Sequence, residues 1–238
     1  MRNSLQKIVF ALFAVWALSC SAYDEYAQRI VTPLSLGFTS SLQYPQNNEV
    51  FVYGLRAGVW MNGLADDSSD ILTEVYGLSI GLLAMHDEVV NGIQLSSLYN
   101  TTRTLNGLQA ACLLNLSGEV NGVQMAFVNF SLGEMSGIQL GICNGVLWGD
   151  VSGIQLGVLN SGKDVYGIQA GLVNVAETDY KNRGIVVGSQ IGLANIAKGD
   201  VRGVQIGLYN QASTLKGVQI GLLNHHGDRY FPLLMVGW

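Results

Sequence analysis

The stretch GIQLGVLN at residues 153–160 sets a pattern that the chain repeats many times. Its clearest other copies are GIQAGLVN at 167–174, GVQIGLYN at 203–210 and GVQIGLLN at 217–224. Close copies begin at Gly92, Gly107, Gly122, Gly137 and Gly188, and degenerate copies begin at Gly54 and Gly77. Most leading glycines lie 14 to 16 residues apart, so one short unit builds most of the chain.

Each unit alternates with the period of a β-strand. In the last clear copy, Val218, Ile220 and Leu222 point to one face, whereas Gly217 and Gln219 point to the other. Two glycines in every unit also disfavour a helix. A single strand cannot bury its apolar face alone, so neighbouring units must pair. The sequence therefore predicts an all-β fold.

Two all-β architectures fit this repeat. The main prediction is an antiparallel outer-membrane-type β-barrel of about 12–14 strands, in which Gly and Gln line the lumen and Val, Ile and Leu face lipid. Alternation at residues 34–44 and 51–61 and the low content of charged residues favour it. The alternative is a single-stack β-solenoid, in which Val, Ile and Leu form the core and identical Asn and Gln residues stack as ladders.

The amide residues are the predicted structural positions of the repeat. Rows of such side chains either line a pore or form hydrogen bonds with one another and fill the interior, and the second arrangement is the one we expect. The predicted glutamine row is Gln94, Gln109, Gln124, Gln139, Gln155, Gln169, Gln190, Gln205 and Gln219. The predicted asparagine row is Asn144, Asn160, Asn174, Asn195, Asn210 and Asn224.

Residues 1–22 have the layout of an export signal. Basic residues precede an apolar run from Ile8 to Leu18, which is too short to span a membrane, and small residues follow up to Ala22. Cleavage after Ala22 leaves residues 23–238 as a single β-repeat domain, whereas cleavage before Cys20 makes a lipoprotein. Both alternatives remain open from the sequence.

Composition limits the partners. Charged residues make up 12% of the chain and the formal net charge is −5, so no basic field is present that would bind DNA or RNA. The partner expected for a barrel is outer-membrane lipid.

Three polar runs are candidates for metal binding, and none has the features of a site. The run at 225–228 lies in one turn without a further ligand, the run at 86–88 is predicted as an exposed turn, and residues 66–70 lack the EF-hand spacing. The polar segments 63–74 and 177–183 are predicted as surface loops. No serine or cysteine has a paired base, so the sequence predicts no catalytic, cofactor or metal site and no enzyme.

Cys112 and Cys143 lie two units apart. Another strand separates them in any stacked arrangement, which puts their Cα atoms about 9–10 Å apart and beyond the reach of a disulfide. They are predicted to be small apolar packing residues.

Trp238 is the last residue, and Leu234 and Val236 share its face. In a barrel, Trp suits the interface between lipid and water. The resemblance of this terminus to outer-membrane barrels implies that Trp238 acts as an assembly signal. In a solenoid, Trp238 would instead cover the apolar end of the stack.

Over about residues 30–238, the repeats resemble those of bacterial surface-repeat proteins built on Gly-x-Gln-x-Gly-Leu-x-Asn units. This resemblance implies an envelope or surface location without a defined activity. Part of the unit, at 169–176, 190–197 and 205–212, also resembles the curli-type amyloid repeat, although the curli unit is much longer.

The function expected from these features is that of a non-enzymatic envelope or surface protein of structural or adhesive type. Its expected location is the bacterial outer membrane or cell surface. The alternatives are a narrow or plugged outer-membrane channel and a secreted β-solenoid surface lipoprotein. A secreted enzyme is the least favoured class.

Overall fold

The computed structural model describes residues 22–24, 29–39, 42–45, 49–61, 72–177 and 184–238, with only the backbone described for residues 22–24 and 29. Regular structure in these ranges consists of β-strands. The first ten are β1 (Ala22–Asp24), β2 (Arg29–Thr39), β3 (Leu42–Tyr44), β4 (Glu49–Met61), β5 (Leu72–Ser96), β6 (Tyr99–Ala110), β7 (Leu114–Met125), β8 (Val128–Ser131), β9 (Met135–Leu140) and β10 (Cys143–Val146). The others are β11 (Val151–Leu156), β12 (Leu159–Gly162), β13 (Val165–Ala170), β14 (Val173–Ala176), β15 (Val186–Ile191), β16 (Ala194–Ala197), β17 (Asp200–Ile206), β18 (Tyr209–Ala212), β19 (Thr214–His226) and β20 (Arg229–Gly237).

No helix in the described ranges has the length and apolar character needed to cross a membrane.

Successive repeats stack in parallel and in register, so the chain forms a β-solenoid. Gln155 in β11 lies between Gln139 in β9 and Gln169 in β13, and the same residue pairing recurs in later coils. Each coil advances the chain by one strand spacing, about 4.8 Å. The prediction of an antiparallel barrel is therefore wrong, and the solenoid alternative describes the fold.

The barrel prediction failed because one unit forms two strands instead of one. In the coil that starts at Val151, β11 and β12 are separated by a bend at Gly157 and Val158. Because each unit bends in the middle and turns again at its end, it completes one coil. The strands of that coil then stack on the same strands of the next unit. The six-residue strands stack in one layer and the four-residue strands stack in a second layer.

The leading glycine is required by the close approach of successive coils. At Gly153, φ is +146°, which is a region that residues with a side chain rarely adopt. A Cβ at this position would lie 2.0 Å from the carbonyl oxygen of Gly137 in the preceding coil. The leading glycines from Gly77 to Gly217 share this positive φ, which explains why this position of the repeat is constant.

Four buried rows fill the interior, one of which consists of the small residues two places after each asparagine, such as Ser117, Ala176 and Ala197. The glutamine and asparagine rows account for two of them. The third is an apolar row, formed by the residue two places before each leading glycine, and its members are Val90, Leu105, Val120, Met135, Val151, Val165, Val186, Val201 and Leu215.

The solenoid alternative placed the Val, Ile and Leu of the repeat in the core, and that part is wrong. Leu156 is 41% exposed, whereas its neighbour Gln155 is fully buried. Because side chains alternate along a strand, an inward glutamine forces the residues on either side of it outward.

Antiparallel strands cover both ends of the stack. At the first coil, β1 and β3 pair antiparallel with β2, while β2 pairs in parallel with β4. At the last coil, β20 folds back through a turn at Gly227 and Asp228 and pairs antiparallel with β19. Of the N-terminal segments whose alternation favoured a barrel, residues 51–61 form a parallel strand of the stack, and the antiparallel β3 belongs to the cap.

Several predicted segments lie partly or wholly outside the described residues, or at their ends. The export segment 1–21, the Asp-rich residues 66–70 and most of both predicted loops lie outside the described residues. Residues 72–74, which were included in the first predicted loop, belong to β5. Trp238 is 97% exposed and so does not cover the apolar end of the stack as the solenoid alternative expected.

We expect Gly153→Ala to destabilise the fold by at least about 1–3 kcal/mol, because the backbone conformation alone disfavours a side chain by that amount. The added Cβ would also push the two adjacent coils apart. The exposed neighbour gives a matched control, because Ser152→Ala should change stability by less than about 0.5 kcal/mol. Urea denaturation of both variants measures the difference. Equal midpoints would show that the coils at Gly153 are not in close contact.

Candidate functional site

The nine glutamines form one continuous hydrogen-bonded ladder through the interior. The Gln155 Nε2 donates to Gln139 Oε1 at 2.8 Å, and Gln155 Oε1 accepts from Gln169 Nε2 at 2.7 Å. The same direction holds from Gln219 back to Gln94, with distances between 2.6 and 2.9 Å. Every amide inside the row therefore has a donor and an acceptor partner of its own kind.

The asparagines form a second ladder that runs in the opposite direction. Asn160 Nδ2 donates to Asn174 Oδ1 at 2.8 Å and also to the carbonyl oxygen of Ala170 at 3.0 Å, which lies just before the bend of the next coil. The short Asn side chain thus links adjacent bends. The ladder also includes Asn100, Asn115 and Asn129, which the predicted row did not contain.

An extra residue before the asparagine obscures two of these positions in the sequence. Asn100 and Asn115 follow units that are one residue longer than GIQLGVLN. In the structure Asn115 still pairs in register with Asn129, which ends a unit of ordinary length, so the bend absorbs the extra residue.

The glutamine ladder ends on a buried ion pair. Gln94 Nε2 donates to Asp87 Oδ2 at 2.8 Å, and Ser79 Oγ donates to the same oxygen at 2.6 Å. The Arg56 guanidinium pairs with the other carboxylate oxygen of Asp87 and also donates to Gln43 Oε1 at 3.3 Å. Arg56 is 3% exposed and Asp87 is fully buried, so neither group meets solvent.

This cluster corrects the prediction of an exposed turn at residues 86–88. Those residues lie within β5, where Asp87 pairs in register with the buried Thr102 of the next coil. Arg56 and Ser79 occupy the glutamine position in the degenerate units GLRAG and GLSIG. Aligning these units with the clear copies shows a cation inside the stack, and a buried cation needs a buried anion.

The outer surface of the coils carries a continuous apolar edge. We define the apolar edge as the outward-facing residues between the leading glycine and the asparagine in the nine units from Gly92 to Asn224. In the unit starting at Gly153 they are Ile154, Leu156, Val158 and Leu159. None of the nine units has a charged residue in this segment, whereas charged residues collect at the turns between coils.

A shallow groove crosses the apolar edge near its N-terminal end. Its volume is about 590 Å³, and small side chains at Ala110 and Ala111 form its floor between Leu95 and Phe127. Cys112 lies in its wall, and both Cys112 and Cys143 are free thiols.

Tyrosine is neutral at pH 7 at its ordinary pKa of about 10, and the pKa values of both tyrosines on the apolar edge lie further from neutrality. Burial raises the pKa of Tyr99 above its ordinary value. Burial also raises the pKa of Tyr209, and the nearby Tyr230 adds to that effect. The edge therefore has no ionised side chain at neutral pH.

The polar run at 225–228 forms the C-terminal hairpin. The His225 ring stacks on Tyr230 with a centroid distance of 4.2 Å, and Gly227 and Asp228 form the turn. Within the described ranges, no group of three or more His, Cys, Asp or Glu side chains is placed to hold a metal ion.

Comparisons of the chain with protein-family models, with curated proteins and with solved structures found no match. The resemblance to surface-repeat proteins stays a prediction, and the proposals below rest on the geometry.

We expect Gln155→Glu to destabilise the fold by at least about 2 kcal/mol at neutral pH, because a buried carboxylate cannot donate to Gln139. Burial raises the folded-state pKa of the introduced carboxyl above its unfolded value of about 4.3. The penalty is thus absent below that unfolded value and grows as the pH rises toward the folded-state value. Thermal unfolding between pH 4 and pH 8 measures it.

Gln211→Glu is the matched control, because Gln211 is half-buried and outside the ladder, and its Oε1 accepts from Tyr209. A carboxylate keeps that acceptor. A Gln155→Glu variant as stable at pH 8 as the control would place the glutamine row in contact with water.

We expect Asp87→Asn to lower the free energy of unfolding by about 3–5 kcal/mol, since it leaves Arg56 buried without its counter-ion. The neighbouring Glu88 pairs with Arg103, whose side chain is 74% exposed, so Glu88→Gln should cost no more than about 1 kcal/mol. Denaturant titration compares the two variants. Equal small losses would mean that the Arg56–Asp87 pair is solvated.

Proposed function

We propose that this chain is an exported, non-enzymatic β-solenoid of the bacterial cell surface, with a structural or adhesive role. The observation that carries the proposal is a contrast between the interior and the outer surface. In the interior the amide side chains are hydrogen-bonded to one another, and on the outer surface the same residue positions repeat from coil to coil. Function in such a molecule lies on its outer surface, because the interior amides are already paired with each other.

Buried side chains fill the interior of the coils that the structure describes. The glutamine, asparagine and apolar rows lie side by side between the two layers of strands, and each row is buried along the nine coils. The channel alternative requires a lumen, and these rows occupy the space that a lumen needs. The secreted β-solenoid alternative has no such requirement.

The exterior suits a scaffold. Identical positions repeat along the stack at about 4.8 Å, so any contact made by one coil is available again on the next. One side of the stack is the uncharged apolar edge, and the turns on the other side carry residues such as Lys163 and Lys198. A rod with two chemically different sides can attach by one side and present the other.

Export and anchoring complete the proposal. The layout of residues 1–22 supports passage through the inner membrane, and Cys20 provides a site for lipid attachment in the lipoprotein form. An attached lipid holds such a rod at the envelope without a transmembrane segment.

The test is surface labelling of intact Gram-negative cells that express the full chain. A membrane-impermeant, amine-reactive biotin reagent should label the exposed Lys198 and Lys216 on intact cells, and the chain should fractionate with the envelope. A variant without residues 2–22 should stay in the cytoplasm and react only after lysis. Cys20→Ser should abolish palmitate incorporation if the lipoprotein form is made. A chain labelled only after the outer membrane is opened would contradict a surface location.

A further inference from the structure

We propose that the apolar edge is a homodimer interface, covered in solution by the same edge of a second copy of this chain. This proposal deepens the proposed function. It rests on that function only for the cell-surface location of the dimer. The edge is continuous over nine units and has no charged residue. Its outward side chains are large, with Phe127 55% exposed, Leu208 51% and Leu222 64%.

The size of the apolar edge matches what a stable dimer buries. Nine coils spaced by about 4.8 Å and an arc of six residues at about 3.3 Å each give an area on the order of 800 Å². A standard protein interface buries about 800 Å² on each partner. Soluble monomers rarely expose a contiguous apolar patch larger than about 300–600 Å².

The backbone amides of the apolar edge can be dehydrated without losing hydrogen bonds. At the bend, the amide of Val158 donates to Ile142 O at 2.9 Å and the amide of Gly157 donates to Ala170 O at 3.0 Å. These donors have protein partners already, so covering the bend leaves none of them unsatisfied. The neutral Tyr99 and Tyr209 add no charge that dehydration would penalise.

The charges around the edge favour a second copy over an anionic bilayer. The outward residues just before the nine leading glycines border the edge, and only Arg202 and Lys216 among them are basic. Attachment to anionic lipid requires clusters of such residues, and this chain has a net charge of −5. At the ends of the stack, β1, β3 and β20 pair antiparallel with the terminal coils, so the parallel register of the coils does not continue past them.

The sequence of the edge suits an antiparallel pair. A two-fold axis across the coil of Leu156 places Ala110 opposite Ile206 of the second copy, and Leu140 opposite Ala170. Both alanines of the row that contains Leu156 then meet a large side chain, and the groove lined by Ala110 would receive Ile206 of the second copy. A two-fold pair of this kind is closed, so the edge on each chain is used once.

Light scattering coupled to size exclusion tests the proposal on protein purified from cells expressing the full chain. We expect a mass close to two chains, each of 25.6 kDa before any export cleavage. Leu156→Glu and Leu193→Glu should each raise the dimer dissociation constant by at least about 100-fold, since a carboxylate would be buried without a partner twice per dimer. Lys163→Glu, in a turn between coils on the charged side, should leave the constant unchanged. A retained β-sheet circular dichroism spectrum and cooperative thermal unfolding of the monomeric variants separate dissociation from misfolding.

Cysteine cross-linking tests the register. In a chain with Cys112→Ser and Cys143→Ser, a further Leu156→Cys substitution lies on the two-fold axis and should form a disulfide between copies under mild oxidation. Lys163→Cys on the charged side should not. Efficient cross-linking through Lys163→Cys alone would overturn the proposal.

Three other outcomes would also overturn it. The first is a protein that is still monomeric at tens of micromolar. The second is the formation of open assemblies that grow with protein concentration. The third is a monomer that floats with phosphatidylcholine vesicles and no longer does so when Leu156 is changed to Glu. The last would assign the edge to lipid. A dimer that is not labelled on intact cells would contradict the surface location alone, whereas a labelled monomer would contradict the dimer alone.

Discussion

The structure depends on the requirement that buried side-chain amides be hydrogen-bonded. An amide inside the stack can satisfy both its N–H and its C=O groups with the same residue of the next coil, provided that the coils are parallel and in exact register. A slip of one residue would turn the glutamines outward and bring apolar neighbours inward. The ladder thus determines the register, and the register determines that Leu156 and its equivalents face outward.

The direction of the two ladders has an electrostatic consequence. Glutamine amides donate toward the first coil and asparagine amides donate toward the last one, so the dipoles of the two rows oppose each other. The glutamine row has an exceptional group at each of its two ends. The first glutamine donates to Asp87, and the last one leaves Gln219 Oε1 buried without a partner among the described residues. The carboxylate at the donor end therefore complements the direction of the row, and Arg56 balances its charge.

Much of this arrangement could be predicted from the sequence, and the rest could not for a definable reason. Period-two alternation correctly separates Gln219 from Val218 and Ile220, and the barrel prediction even placed them on the correct sides. Alternation is identical in parallel and antiparallel strands, so it could not decide between barrel and solenoid. The decisive signal is the break in alternation at Val158 and Leu159, where two adjacent apolar residues both point outward around the bend. The buried ion pair required a different step, which is to ask what replaces glutamine in the degenerate units.

The covered ends have a further consequence for the length of the rod. Because β20 and the strands on β2 close the stack independently of what lies between them, the number of internal units is free to vary. Inserting or removing one unit of about 15 residues at a turn would lengthen or shorten the rod by about 4.8 Å and preserve both termini. The repeat count therefore works as a ruler, and duplication of a unit within the gene would change the molecule's reach without creating a new fold.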